Sequence, residues 1–216
     1  VIAIPLGIYA GYKPESKTSK IIMGGSILGF SMPTFWVGII FIMIFAVHLG
    51  WLPSTGRGEI GTFLGINSSL FTLNGLSHVF LPALNLALFK ISSVIRLTRA
   101  GTREIILQDY ITFARSKGLS EKRIVLVHIL KNILIPIVTV VGLEFGSLIA
   151  FSTVTETVFA WPGMGKLIID SIYNLDRPVI VAYLMIIVTF FVFLNLIVDI
   201  LYTFLDPRVR IKGDGQ

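Results

Sequence analysis

Long apolar segments alternate with shorter polar ones along the chain, and four of them are long enough to cross a lipid bilayer. We predict these spans at residues 21–49, 78–97, 133–152 and 179–205. A spanning helix needs about 20 apolar residues, and backbone polar groups in lipid must be satisfied within the structure. The pattern therefore predicts an all-α fold, a polytopic transmembrane helical bundle, in which Pro33 is placed to kink the first span.

The first ten residues are apolar as well, but they are too few to span a bilayer. They carry neither the basic start nor the small-residue cleavage site of a signal peptide. We interpret them as the second half of a helix that begins upstream, so we expect the chain to be amino-terminally truncated. The expected transmembrane domain, residues 1–205, then contains a remnant of one helix and four full spans.

The composition agrees with a membrane protein and excludes some chemistry. Of the 216 residues, 54% are hydrophobic and only 14% are charged, whereas soluble domains carry about 25% charged residues. The absence of cysteine excludes disulfides and thiolate metal sites. The formal net charge of +6 would suggest nucleic acid as the partner of a soluble protein, but in a membrane protein it must be read loop by loop.

The positive charges lie almost entirely in one alternating set of polar segments, which carries 14 of the 18 Lys and Arg residues. The other set, residues 50–77 and 153–178, carries three, and Lys90 lies inside a span. Because positively charged loops stay in the cytoplasm, we predict a cytoplasmic loop at about 99–132 and a cytoplasmic tail at 206–216. The poorly charged set is predicted to be external.

The cytoplasmic loop has the pattern of two helices joined by a sharp turn. One helical face is predicted across residues 102–117, and it comprises Ile106, Tyr110, Phe113 and Lys117. Gly118 can end a helix in the left-handed conformation, and Ser120 can cap the next one, with Glu121 in its first turn. Basic side chains flank the turn: Arg115, Lys117, Lys122 and Arg123. From these residues alone, a basic helix resting on anionic lipid remains an equal alternative.

This loop resembles the cytoplasmic coupling loop of bacterial ABC-transporter permeases of the dipeptide/oligopeptide (and nickel) transport family. The matching residues are Asp109, Tyr110, Ala114, Arg115, Lys117, Gly118, Leu119, Ser120, His128, Leu130, Asn132 and Pro136. The general permease motif, Glu-Ala-Ala followed by Gly, is matched only by Ala114 and Gly118. The resemblance implies that the turn, with Arg123, seats in a cleft of a separate ATPase subunit. His128 has no second ligand nearby, so we expect a hydrogen bond at the membrane boundary and no metal site.

A second segment, at residues 155–167, resembles an external stretch of the same family. Its matching residues are Glu156, Trp161, Pro162, Gly163 and Gly165. Further likeness lies at residues 30–36, 49–53 and 195–210, so the resemblance covers almost the whole chain. It implies that the chain represents the last five of six family helices.

The resemblance implies a permease subunit that forms half of the translocation pathway of an importer in the bacterial cytoplasmic (inner) membrane. The expected partners are a second permease chain in a heterodimer, two ATP-binding-cassette ATPases, an external substrate-binding protein and the lipid bilayer. No enzymatic activity, cofactor, metal or nucleic acid is expected in this chain. Gly165-Lys166 is not a phosphate loop, because Leu167 stands where a Ser or Thr would hold magnesium.

Four polar residues lie inside the predicted spans: Lys90, Glu144, Asn195 and Asp199. An ionisable side chain at mid-membrane costs about 2.5–3.5 kcal/mol even on the permissive insertion scale, so such groups face protein or water. Lys90 is as well placed to reach the cytoplasmic surface as to line the pathway. We expect Asp199 and Asn195 to form an interhelical clasp. Glu144 is the candidate for the pathway wall, where its carboxylate would attract a peptide's amino terminus or a cation.

Some features leave alternatives open. The same type of permease for nickel, glutathione or another small solute would have the same spans. A secondary transporter without an ATPase predicts inverted repeats, and we find none in the sequence. Three pairs of glycines four residues apart predict close helix packing: Gly7 with Gly11, Gly25 with Gly29 and Gly142 with Gly146.

Overall fold

The computed structural model describes residues 2–205, except the side chains of residues 143, 145, 150 and 202–205. The tail predicted at 206–216 therefore lies outside the described residues. Nine α-helices are described, in the order α1 Ala3–Tyr12, α2 Lys17–Ser31, α3 Thr34–Phe41, α4 Leu73–Ile106, α5 Asp109–Ser116, α6 Glu121–Arg123, α7 Leu130–Val158, α8 Met164–Tyr173 and α9 Arg177–Leu205. Two π-helical segments, Ile42–His48 and Ile124–Ile129, continue α3 and join α6 to α7.

Three described helices are long and apolar enough to cross a membrane. They are Leu73–Ile106, Glu121–Gly142 and Arg177–Leu201, and a fourth span results if the bent pair Lys17–Ser31 and Thr34–His48 counts as one. The predicted all-α polytopic fold class is thereby confirmed. In the stretch after the first predicted span, β1 Gly61–Phe63 and β2 Ile66–Ser68 form an antiparallel hairpin that the sequence analysis did not predict.

The first predicted span is broken, where the sequence suggested a kinked but continuous helix. α2 ends at Ser31, and Pro33 stands before α3 with an extended backbone, φ −60° and ψ 135°. Proline has no N–H to donate to the preceding turn and disfavours a helical conformation at Met32. The helices around the second and third predicted spans are also longer than predicted, since α4 runs to Ile106 and helix resumes at Glu121.

The chain divides into two compact units. The first comprises Val1–Phe30, Lys90–Phe145 and the described residues from Phe190 onward. Its core residues are Ile111, Ala114, Ile124, Ile129, Ile133 and Ile137. Here α1 packs closely on α4: a Cβ at Gly7 would lie 2.5 Å from Thr98 Cβ, and one at Gly11 would lie 2.6 Å from Thr102 Cβ. The first predicted glycine pair therefore serves close packing.

The other glycine pairs behave differently from one another. A Cβ at Gly142 would lie 2.7 Å from Val198 Cγ2, so α7 and α9 also approach closely within the first unit. A Cβ at Gly25 would meet nothing within 4 Å, so the second pair does not act as a contact at that position. The four-residue spacing alone could not separate these cases, because it fixes a face of the helix and not its neighbour.

The second unit comprises Ser31–Phe89 and Gly146–Thr189. Phe159 and Leu81 are among its fully buried side chains. Asn85 Nδ2 donates to Thr155 Oγ1 at 3.1 Å, which links α4 to α7. Gly38 allows close approach there, because a Cβ at this position would lie 3.1 Å from Val158 Cγ1. This unit holds the two segments predicted to be external.

Candidate functional site

The turn at Gly118 is closed by its own backbone. Gly118 has φ +77°, in the left-handed region that glycine adopts without steric cost. Its N–H donates to Arg115 O at 2.9 Å, and the N–H of Leu119 donates to Ala114 O at 3.2 Å. This pair of bonds is the Schellman arrangement at a helix end, and Leu119 packs against the core that contains Ala114. The predicted stop of the helix at Gly118 is confirmed.

The helix face predicted across residues 102–117 is wrong. α4 ends at Ile106 and α5 begins at Asp109, so the segment is two helices. In α5 the side chains of Ile111 and Ala114 are buried, whereas Tyr110 and Phe113, predicted to share a face with Ile106, are 43% and 60% exposed. The break at residues 107–108 changes which residues of α5 share a face with those of α4. A periodic pattern applied to all 16 positions assumes one continuous helix and therefore cannot detect this change.

Several residues around the turn are exposed, and we call this set the coupling turn: Lys117, Gly118, Ser120, Lys122 and Arg123. Ser120 stands at the N-cap of α6 with an extended backbone, as predicted, but its side chain makes no capping bond. Asp109 supplies an acidic first turn to α5. The Lys117 ammonium lies 4.5 Å from the Phe113 ring centroid, in cation–π range. The turn thus offers a basic, solvent-accessible knob.

A three-residue cluster, Tyr12, Arg115 and Glu121, fastens both sides of the turn to the end of α1. Arg115 Nε lies 3.1 Å from Glu121 Oε1, and the Tyr12 hydroxyl donates to Glu121 Oε2. Arg115 Nη2 also donates to Tyr12 Oη at 3.5 Å. Burial, and then the hydrogen bond to Glu121, raises the pKa of Tyr12. The hydrogen bonds that Arg115 donates to Tyr12 and to Glu121 raise the pKa of the Arg115 guanidinium. We call this cluster the Tyr12 clasp.

Sequence reasoning missed Tyr12, because 109 positions separate it from Glu121 and no local spacing relates them. The clasp holds the last turn of α5 and the first turn of α6 at a fixed separation. Both sides of the coupling turn are thereby tied to the end of α1.

A second cluster brings together Tyr110, His128 and Asn132, which the sequence analysis named among the residues of the coupling loop. Asn132 Nδ2 donates to His128 O at 2.6 Å and to Tyr110 Oη at 3.3 Å. The rings of Tyr110 and His128 have centroids 6.3 Å apart. Burial raises the pKa of Tyr110. The cluster borders a cavity of about 330 Å³ that Gln108 and Glu104 also line. The hydrogen bond expected from the His128 ring stays a prediction.

Lys90 and Glu144 form an ion pair inside the first unit. Lys90 Nζ lies 3.0 Å from Glu144 Oε2, and Ser93 Oγ donates to Glu144 Oε1 at 3.0 Å. The side chains are only 16% and 23% exposed. Lys90 therefore directs its ammonium to Glu144, so the carboxylate of this candidate for the pathway wall has a counter-charge within the chain. The ion pair was not predicted from the sequence, because local patterns do not show which residues of α4 lie opposite which residues of α7.

Lys90 also lines a cavity of about 610 Å³ with a mostly aliphatic lining. Lys90 is its charged lining residue, and α1, α4, α7 and α9 supply the others, among them Ile2, Val94, Val141 and Ile197. Of the two remaining intramembrane candidates, Asn195 is half-buried and Asp199 is exposed. The interhelical hydrogen bonding expected of Asn195 and Asp199 stays a prediction.

The turn between α7 and α8, which the sequence predicts to be external, is built around Glu156. The N–H of Trp161 donates to Glu156 O at 2.8 Å, and the N–H of Lys166 donates to Glu156 Oε2 at 2.9 Å. Gly163 occupies the N-cap of α8 and has no side chain to cap it, so the Glu156 carboxylate takes that role. A Cβ at Gly163 would lie 2.3 Å from Glu156 Cδ, and one at Gly165 would lie 2.5 Å from Thr153 Oγ1.

The glycines of the external pattern are thus explained by steric contact. Gly163 leaves room for the carboxylate, and Gly165 leaves room for α7. Pro162 is exposed immediately before Gly163 and cannot continue the helix. Sequence reasoning predicted the turn but not the carboxylate that caps α8.

Residues 3–211 match the family described as "Binding-protein-dependent transport system inner membrane component". The chain is 40% identical to the di/tripeptide transport system permease protein DppB of Pseudomonas aeruginosa, and the match covers 94% of this chain and 64% of that protein. It is 35% identical to the dipeptide transport system permease protein DppB of Escherichia coli K12, with 98% and 67% covered. It is 40% identical to the oligopeptide transport system permease protein AppB of Bacillus subtilis, with 97% and 65% covered.

The chain spans about two thirds of the length of these curated relatives. Its fold also matches a chain from a structure of the MetNI methionine ABC transporter in inward-facing conformations, with a TM-score of 0.68. That match covers 95% of this chain and 86% of the other at 17% identity, so it concerns the fold alone. The resemblance found in the sequence is confirmed, and the chain belongs to the family of inner membrane components of binding-protein-dependent transport systems.

Proposed function

We propose that this chain is the permease subunit of an ATP-binding-cassette importer for dipeptides or oligopeptides. The observation that supports this most strongly is the coupling turn, a basic and exposed knob closed at Gly118 in a member of this transport family. A peptide cargo is favoured because relatives at 35–40% identity are named as dipeptide, tripeptide and oligopeptide permeases. Nickel, glutathione or another small solute remains a possible outcome of a cargo screen.

In this proposal the coupling turn seats in a cleft of a separate ATPase subunit. ATP binding closes two such subunits against each other, and the turn moves with them. Because the Tyr12 clasp ties α5 and α6 to α1, the movement reaches the helices that border the lipid-embedded cavity. The chain itself hydrolyses no ATP, and its loop at residues 99–132 and its carboxyl terminus lie in the cytoplasm.

The remaining partners follow from the same proposal. A second permease chain, in a heterodimer, supplies the other half of the pathway. An external substrate-binding protein delivers cargo to the surfaces formed by residues 50–77 and 153–178. Exposed aromatic and aliphatic side chains of the hairpin suit such a contact, including Phe63, Leu64 and Ile66.

Reconstituted transport tests the proposal. The complete permease, its partner permease, both ATPases and the binding protein are placed in liposomes, and uptake of a radiolabelled dipeptide is followed. We expect uptake that requires ATP, both ATPases and the binding protein. Nickel and glutathione are measured in the same vesicles. Dipeptide uptake without ATP or ATPases would refute the importer, and uptake of another solute in place of dipeptide would refute the cargo.

A further inference from the structure

We propose that the pocket beside Glu156 binds the ammonium group of the cargo peptide's amino terminus. The inference rests on the proposed function and gives it a specific recognition site. The pocket has a volume of about 230 Å³ and lies wholly within the second unit. α4 supplies Val79, Pro82, Ala83 and Leu86, α7 supplies Ser152, Thr155 and Glu156, and the following turn supplies Trp161.

The first argument is that the charge of Glu156 is only partly compensated. Its carboxylate is half-buried, and among the ion pairs of the described residues none includes it. Lys166, the nearest cation along the chain, directs its ammonium to Asp170 Oδ2 at 2.9 Å. The amino end of α8 supplies one N–H and a partial charge of roughly one half of an elementary charge. The carboxylate therefore keeps negative charge that a cationic ligand could neutralise.

The second argument is that the other groups of the pocket suit an ammonium ion. The Ser152 hydroxyl donates to Ile149 O at 2.7 Å, so its lone pairs remain available to accept from a ligand N–H. Trp161 presents an indole, the aromatic ring that attracts cations most strongly. The aliphatic side chains of α4 suit the hydrocarbon part of a first residue.

The third argument is one of size and ligand number. Pockets that enclose a whole small molecule measure about 300–1,000 Å³, so this smaller pocket suits one end of a peptide. A divalent metal needs several protein ligands, and within the described residues no cluster of three His, Cys, Asp or Glu side chains exists. A single carboxylate with a hydroxyl and an indole therefore points to an ammonium group. Glu144, the earlier candidate for this role, is already neutralised by Lys90.

Glu156→Gln separates the two roles of the residue. Glutamine keeps an oxygen that can accept from the Lys166 N–H, so the cap of α8 is retained, while the negative charge is lost. Glu15→Gln is the matched control, because it makes the same change of charge at an exposed position outside both segments predicted to be external. Binding is measured by saturation-transfer-difference NMR on the complete transporter in nanodiscs without binding protein. The ligands are L-alanyl-L-alanine and its N-acetylated form.

We expect wild type and Glu15→Gln to bind L-alanyl-L-alanine and to bind the N-acetylated peptide about tenfold more weakly, the effect of one charge-assisted hydrogen bond. Glu156→Gln should bind both peptides equally weakly. The ligand comparison on wild type stands even if Glu156→Gln fails to assemble. Equal binding of the two peptides by wild type, no binding of either, or unchanged binding in an assembled Glu156→Gln transporter would overturn the inference. Peptide uptake is judged separately, in the reconstituted liposomes with binding protein: its absence there defeats the proposed function, whereas its presence beside any of these results defeats only the ammonium site.

Discussion

Lys90 Nζ on α4 lies 3.0 Å from Glu144 Oε2 on α7, in a chain whose helices are otherwise almost free of charge at this depth. Each residue alone would place an uncompensated charge among apolar side chains. Together, with the Ser93 hydroxyl on the second carboxylate oxygen, they form a neutral and hydrogen-bonded group. The pair therefore fixes the register of α4 against α7 in the first unit.

This pairing predicts a non-additive mutant cycle. Lys90→Met or Glu144→Gln alone leaves one partner buried without its counter-charge, which costs about 3–5 kcal/mol. The double variant removes both charges, so we expect it to recover most of the stability that either single variant loses. Unfolding free energies of the complete permease in detergent, measured across the four proteins, give the coupling energy. Additive losses would show that the two side chains do not depend on each other.

The close approach of α1 to α4 predicts a strong position effect among glycines. At Gly7 a methyl group would lie 2.5 Å from Thr98 Cβ, so Gly7→Ala forces the two helices apart and should cost about 1–3 kcal/mol. Gly24→Ala is the control, because a Cβ there meets nothing within 4 Å. Thermal unfolding in detergent compares the two. If Gly7→Ala is as stable as Gly24→Ala, the packing described for α1 is incorrect.

The Tyr12 clasp predicts a defect in coupling that exceeds any defect in stability. Tyr12→Phe keeps the ring but removes the hydroxyl that bonds Glu121 and accepts from Arg115. We expect fewer peptides transported per ATP hydrolysed, with assembly retained. Tyr173→Phe, at a position that is 83% exposed, provides the control. An unchanged transport-to-hydrolysis ratio in Tyr12→Phe would mean that the clasp carries no motion.

The left-handed backbone at Gly118 predicts a graded series. With φ +77° and nothing within 4 Å of a Cβ, only backbone conformation limits substitution. Asparagine tolerates this region, whereas a β-branched residue does so at a cost of about 1–3 kcal/mol. We therefore expect Gly118→Asn to keep most ATP-driven uptake and Gly118→Val to lose most of it at equal expression. Equal uptake by both variants would exclude a conformational requirement at the turn.

The sequence predicted those parts of the molecule that depend on neighbouring residues. The helix stop at Gly118, the restart at Glu121 and the apolar spans follow from backbone preference and hydrophobic length, which act within a few turns. At Pro33 the sequence predicted a kink, whereas the structure has a break between two helices. A proline within an apolar segment is compatible with either outcome, so the sequence could not distinguish them. The short hairpin at Gly61–Ser68 lacked a strong alternating pattern.

The contacts between distant segments could not be predicted in this way. Tyr12 meets Glu121, and Lys90 meets Glu144, only after the helices have packed, and local patterns in a sequence do not reveal how helices are aligned with one another. The same limit explains why Glu156 was assigned to the external turn without its role as the cap of α8. The coupling role proposed for the turn at Gly118 came from the family resemblance. The residues of the turn alone were equally consistent with a basic helix resting on lipid.

Chemical cross-linking from the coupling turn tests the central claim most directly. The chain has no cysteine, so Ser120→Cys introduces a single reactive group at the exposed turn. With a short bifunctional reagent, we predict a cross-link to the ATPase subunit whose yield changes with ATP. Asn67→Cys, in the predicted external hairpin, should give none and should react with impermeant reagents from outside the cell. Labelling of Ser120→Cys from the outside, or no adduct with the ATPase in an active complex, would contradict the account.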